Sequence, residues 1–127
     1  MARDVAVGRT EFHWRAAGIH AYYALFLECR DALFRWGFVM PRRDNVHSWI
    51  RLRFIYATDG DLKIVGGFLE QLVNLRNLAS YHLQSHAFAS AAVAQDAIQD
   101  AMAALALLDQ IDGDPARRGA AIKSIRP

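Results

Sequence analysis

Cysteine is almost missing from this chain of 127 residues: a single one, Cys29, leaves nothing for an intramolecular disulfide and excludes a disulfide-built scaffold. No run of about eighteen apolar residues occurs. Mean hydropathy is near zero, with polar residues scattered through the apolar segments, which argues against a membrane protein. The first residues, MARDVAVGRTEF, lack the apolar core of a signal peptide, so a cytoplasmic protein is the expectation. Strand-like alternation, internal repeats and low-complexity tracts are all absent. Neither sign of charge dominates: a net +2 is too weak by itself to imply nucleic-acid binding. His82 and His86 stand four apart, as metal ligands often do, and His13 and His20 two turns apart. No Glu-x-x-His pair or carboxylate cluster accompanies them, so neither a metal nor a cofactor is expected.

What is present is apolar material, 54% of the residues, enough for one domain with a core and too little length for two. Residues 1–9 carry no pattern and read as a flexible N-terminal arm. Thr10 with Glu11 behind it suits a helix start. From there to about Trp36, Ile19, Tyr22, Tyr23, Phe26, Leu33 and Phe34 recur at helical spacing until Gly37 ends the helix. Cys29 lies inside it and reads as a packed thiol, since a nucleophile needs a base nearby. Pro41 breaks the pattern, and Asp44 or Asn45 can cap a shorter helix over 46–56, with Trp49, Ile50 and Phe54 facing inward. Thr58-Asp59-Gly60-Asp61 is a turn and the next cap. A long helix follows over 61–84, and a break falls at 85–89. An Ala-rich helix over 90–111 then has Val93, Ala97, Ile98, Ala101, Met102, Leu105 and Leu108 on its inner face. Gly113-Asp114-Pro115 ends it, and 113–127 is a basic tail, expected to be mobile or partner-bound. The fold class is all-α, an up-and-down antiparallel four-helix bundle over 10–112, with a short extra C-terminal helix or tail.

The helix over 61–84 is the organising element. At about 100° per residue, Val65, Phe68, Leu69, Leu72, Leu75, Ala79 and Leu83 share one face. Arg76 sits about 40° from its centre and His82 on its edge. A guanidinium on a face that wants burial is costly unless it is paired or lines a cleft, so Arg76 is either structurally satisfied or chemical. An Arg and a His together suit phosphodiester cleavage. The cation stabilises charge on phosphoryl oxygens, and the imidazole moves a proton near neutral pH. Asn77 is placed to orient a ribose or phosphate oxygen. On a straight helix Arg76 and His82 differ by about 120° and about 9 Å of rise, so sharing a substrate requires a bend or a second subunit. Arg42 and Arg43, beside His47, are candidates for phosphate or RNA contact, with a solvated loop as the alternative. Tyr22, Tyr23 and Phe26 read as core, with base stacking as the alternative.

Three blocks in this order carry a resemblance: Tyr22-Tyr23-Ala24-Leu25-Phe26, Val46-His47-Ser48, and Arg76-Asn77-Leu78-Ala79-Ser80-Tyr81 followed by His82. Over about residues 16–111 the chain resembles the small prokaryotic HEPN-domain proteins. The resemblance implies a metal-independent endoribonuclease in which Arg76 and His82 form a composite site across a homodimer. Asn77 and Tyr81 would be supporting residues, and the ribose 2′-hydroxyl would attack the adjacent phosphate. It also implies a toxin or defence role with a nucleotidyltransferase antitoxin as partner. Ser80 stands where relatives of this branch commonly carry Asp, and that branch often lacks the histidine. A non-catalytic HEPN subunit that binds a nucleotidyltransferase or larger assembly is therefore the alternative, and a helical interaction module without nucleotide chemistry a third.

Overall fold

The computed structural model describes residues 2–42, 45–81 and 91–126. Among the described residues it holds five helices and no strand: α1 (Ala2–Arg35), α2 (Val46–Ile55), α3 (Gly60–Tyr81), α4 (Ala91–Asp112) and α5 (Pro115–Ser124). The expected all-α bundle is present, and the extra C-terminal segment is a helix.

α1 stops where the sequence says it should. Gly37 takes φ +94°. Its N–H donates to the Phe34 carbonyl at 3.1 Å, and the Phe38 N–H reaches back to Leu33 at 3.0 Å. This double closure of the last carbonyls needs a left-handed residue, which glycine adopts without strain. At its other end α1 begins at Ala2 and not at Thr10. The patternless segment expected as an arm holds no proline, and extending an existing helix costs far less than starting one. Asn45 precedes α2 in the left-handed region (φ 80°) and makes no side-chain cap; Asp44 lies outside the described residues. Asp59 does cap α3, its Oδ1 accepting from the Asp61 and Leu62 N–H groups at 3.0 and 3.1 Å.

α3 lies at the centre and is antiparallel to its neighbours. Arg15, in the first half of α1, reaches the Leu78 and Ala79 carbonyls near the end of α3 at 3.2 and 3.4 Å. α2 crosses α3 so that Ile55 lies on Gly66. The ends of α1 and α4 meet where Asp112 accepts from Trp36 Nε1 at 2.8 Å and from Arg35 at 2.7 Å. The link after α1 doubles back and sets the first turn of α2 beside Tyr22, so α2 runs the same way as α1. Leu25, Cys29 and Leu33 of α1, Ile50 and Phe54 of α2, Leu62, Val65 and Leu72 of α3, and Leu108 of α4 form one fully buried core.

α4 buries part of the expected face, Ala97, Ala101 and Leu108, but is rotated away from the rest of it. Ala94, Ala97, Ala101, Ala104, Leu108 and Ile111 are buried, while Ile98 and Met102 are exposed. Gln95, Asp96, Gln99 and Asp100 mark the outer side, but Ile98 and Met102 stand beside the alanine stripe on the apolar side, so periodicity alone does not fix the rotation. The stripe of small residues lets neighbouring backbones come close, and that packing decides the rotation. Among the described residues α4 is also the one helix long and apolar enough to cross a membrane by length and composition. Here it is packed against α1 and α3.

The basic tail is ordered as α5. Asp114 accepts from the Ala116 and Arg117 N–H groups at 3.0 and 3.4 Å, with Pro115 in the first turn. Ala121 and Ile125 are buried in the common core. Arg117 donates to both Asp59 oxygens at 2.6 and 2.9 Å and to Asp61 at 2.8 Å. Asp59, which caps α3, and its neighbour Asp61 thus anchor the C-terminal helix to the bundle.

Candidate functional site

Arg76 points from α3 toward α1 and the first turn of α2. Its Nη1 donates to the Tyr23 hydroxyl at 3.3 Å. The guanidinium carbon stands 5.2 Å from the centre of the Tyr22 ring and 5.9 Å from that of Tyr23. Two aromatic faces thus attract the cation electrostatically. Nε is buried without a hydrogen-bond partner, and among the described residues no carboxylate forms an ion pair with Arg76. Glu28 and Asp31, the natural acidic partners on α1, are engaged with Arg35 and Arg30.

His47 completes the cluster. Its ring lies flat on Phe26, centroids 4.0 Å apart and planes within 7°, and its Nδ1 is 2.6 Å from the Tyr22 hydroxyl. Burial lowers the His47 pKa, and the positive charges of Arg76 and Arg51 lower it further. Burial also pushes the Tyr22 hydroxyl up to about 12, against the pull of Arg76. Both shifts favour a neutral pair. In a neutral pair the imidazole tautomer sets the direction of this hydrogen bond, the Tyr22 hydroxyl donating to an unprotonated Nδ1 or accepting from Nδ1–H. The site is therefore a permanent cation beside a neutral imidazole, walled by three aromatic rings. Chemically it suits an oxyanion.

The structure brings together Tyr22, Tyr23, Phe26, His47, Arg51 and Arg76, from three helices. It does not bring Arg42 into this group; that residue is exposed in the α1–α2 connection, and Arg43 lies outside the described residues. Asn77 is half-buried on α3, and Tyr81 is the last residue of that helix. His82 and His86 lie outside the described residues, as do Leu83 and the expected break at 85–89. Cys29 is fully buried and its thiol is pushed up by burial and by Glu28, so it is a packed thiol and not a nucleophile. Among the described residues no group of three or more His, Cys, Asp or Glu side chains is placed to hold a metal ion.

Arg15 is a functional-looking residue that the sequence pattern did not mark. It is buried, pairs with Glu11 at 3.2 Å, and covers the carbonyl end of α3. Its guanidinium supplies donors to carbonyls of the last described turn of α3. The Glu11–Arg15 spacing of four was the one available signal. No family model, curated protein or solved structure matches the chain.

Proposed function

We propose that this protein is a HEPN-type endoribonuclease that cleaves RNA without a metal ion, at a site completed by a second copy of the chain. Arg76 stabilises the charge that builds on the phosphoryl oxygens as the ribose 2′-hydroxyl attacks the adjacent phosphate, and His82 transfers the proton. Asn77 and Tyr81 support the pair. In this reading the activity is that of a toxin or defence enzyme, held in check by a nucleotidyltransferase partner. One observation carries it: Arg76 has no carboxylate partner among the described residues and lies among the tyrosines and His47 of the other two sequence blocks. A structural guanidinium on a buried face is normally neutralised by an acid, whereas one meant for phosphate is left unneutralised.

A second reading has its own support. Arg76 lies over Tyr22 and Tyr23 with Nε buried, as a cross-link between α1 and α3 would. That geometry fits a non-catalytic HEPN subunit that binds a partner through its helical faces. The deciding experiment is RNA cleavage in the presence of a chelator by wild type, Arg76→Ala and His82→Ala. On the catalytic reading Arg76→Ala loses about 100-fold or more in rate. Equal cleavage by all three proteins, or by none, removes the catalytic assignment.

A further inference from the structure

α1 carries a second pattern beside the face it buries. Phe12, Ala16, Ile19, Tyr23, Leu27, Arg30 and Phe34 are spaced four, three, four, four, three and four residues apart. At about 100° per residue they form one stripe along the helix, and Phe12, Tyr23 and Phe34 fall within about 40° of one another. Four of its members are large apolar residues left open: Phe12 is 69% exposed, Tyr23 36%, Leu27 41% and Phe34 75%. Scattered exposed apolar residues need no explanation, but an aligned row of them does. Next to the first half of the stripe is a cavity of about 270 Å³, lined by Phe12, Arg15, Ala16, Ile19, His20 and Ala79. Against the second half there is a protruding aromatic, Phe34.

We propose that this stripe is the surface on which a second copy of the chain docks, antiparallel, about a two-fold axis passing beside Tyr23. Phe34 of each copy then fills the hollow at Phe12, Ala16 and Ile19 of the other.

The spacing selects this occupant. A two-fold interface must be self-complementary, so a residue some distance after the axis meets the residue the same distance before it. The order of gaps here reads the same in both directions from Tyr23. Leu27 meets Ile19, Phe34 meets Phe12, and the aliphatic stem of Arg30 lies on Ala16. Every layer sets apolar surface against apolar surface. The seam has the alternating three-and-four spacing of paired helices, with Phe34 as knob and the cavity as hole. The axis also places the Tyr23 hydroxyls near each other. Because Arg76 donates to Tyr23, the two Arg76 clusters come to flank the axis. The inference rests on the preceding reading only for its expectation of a dimer; the surface itself follows from exposure and spacing.

Light scattering and sedimentation of the full chain test it, alongside Phe34→Asp. That position is open to solvent, so the variant keeps its fold, which circular dichroism checks. Wild type is expected to be a dimer, and Phe34→Asp to weaken self-association by about 30-fold or more. The double variant Ile19→Cys/Leu27→Cys supplies a geometric readout. Eight residues apart on one helix, the two thiols are about 12 Å apart and beyond disulfide reach within a chain. Mild oxidation therefore yields covalent dimers of the double variant and none of either single variant, Ile19→Cys or Leu27→Cys, if α1 meets α1 antiparallel, whereas a parallel pairing cross-links the single variants too. Native Cys29, fully buried, takes no part. A wild type that stays monomeric overturns the proposal. So does a dimer that ignores Phe34→Asp and gives no cross-link. Cross-linked dimers that leave RNA intact uphold the interface and remove only the ribonuclease reading.

Discussion

His47 is a group that titrates near neutrality, held between an aromatic ring and two guanidinium groups. Burial and the charges of Arg76 and Arg51 act in the same direction, so its folded pKa is below the ordinary value of about 6.5. The folded state thus binds fewer protons than the unfolded chain across the interval between the two values. Stability from His47 is complete above the ordinary pKa and declines as pH falls through that interval. In an NMR titration the His47 ring should show the lowered value, and Arg76→Gln should move it back upward by removing one of the positive neighbours. An unchanged midpoint in the variant would mean that the guanidinium is not felt at the imidazole. Arg76 was legible in the sequence because a cation on an apolar stripe violates the pattern around it. Its surroundings were not. Tyr22 and His47 are 25 positions apart, and only the folded chain puts hydroxyl against ring nitrogen. The sequence placed His47 at the start of the helix over 46–56, where α2 has it, but grouped it with Arg42 and Arg43 as a candidate phosphate contact, whereas its ring belongs to the Arg76 cluster.

Between elements, α2 approaches α3 closely at Gly66. A Cβ built on Gly66 would stand 2.7 Å from the Ile55 backbone nitrogen and 3.0 Å from its Cα, while one on Gly67 meets nothing within 4 Å. Neighbouring glycines in one helix therefore have opposite roles. Gly67→Ala is expected to stabilise by about 1 kcal/mol, the propensity difference in a helix interior. Gly66→Ala gains the same preference but must push α2 outward, and backbone gives way poorly, so a net loss of about 1–3 kcal/mol is expected. Urea unfolding of the two variants reads the contrast; similar midpoints would show that α2 does not rest on α3 at Gly66. The sequence does not say which glycine of the pair makes the contact. It located α2, α3 and α4 to within a few residues because their apolar periods are bounded by glycine, proline and acidic caps. It misjudged the rotation of α4, where alanine on one side and Ile98 with Met102 on the other are equally apolar to a pattern count. Only the depth of packing separates them.

For the whole molecule the decisive contact is the one that closes the chain's end onto its middle. Gly113-Asp114-Pro115 both ends α4 and starts α5, since an Asp cap followed by proline is also a helix beginning. The basic composition of 113–127 obscured that signal, and the buried pair Ala121 and Ile125 was too short a pattern to register. In the folded protein Arg117 bridges Asp59 and Asp61, and the Thr58 N–H donates to the Ser124 carbonyl at 3.1 Å. Cutting the chain after Asp112 would expose the core beneath Ala121 and Ile125 and leave the cap of α3 without its cation. A loss of roughly 3 kcal/mol is expected from the buried side chains alone, which for a domain of this size lowers the thermal midpoint by about 10 °C. The same contact sets a pH dependence. The Arg117 hydrogen bonds, helped by the Leu62 and Asp61 N–H groups, hold the Asp59 carboxyl below its usual range. Its contribution is therefore complete above the ordinary carboxylate pKa and is lost as pH falls through the lowered folded value. Acid titration of unfolding should show this loss in the full chain, and Asp59→Asn should flatten it in that interval. If the truncated chain melts with the full one, α5 is an appendage after all. Because Asp59 also caps α3, its protonation loosens the start of the helix that carries Arg76, so the C-terminal helix and the candidate site share one acid-sensitive support.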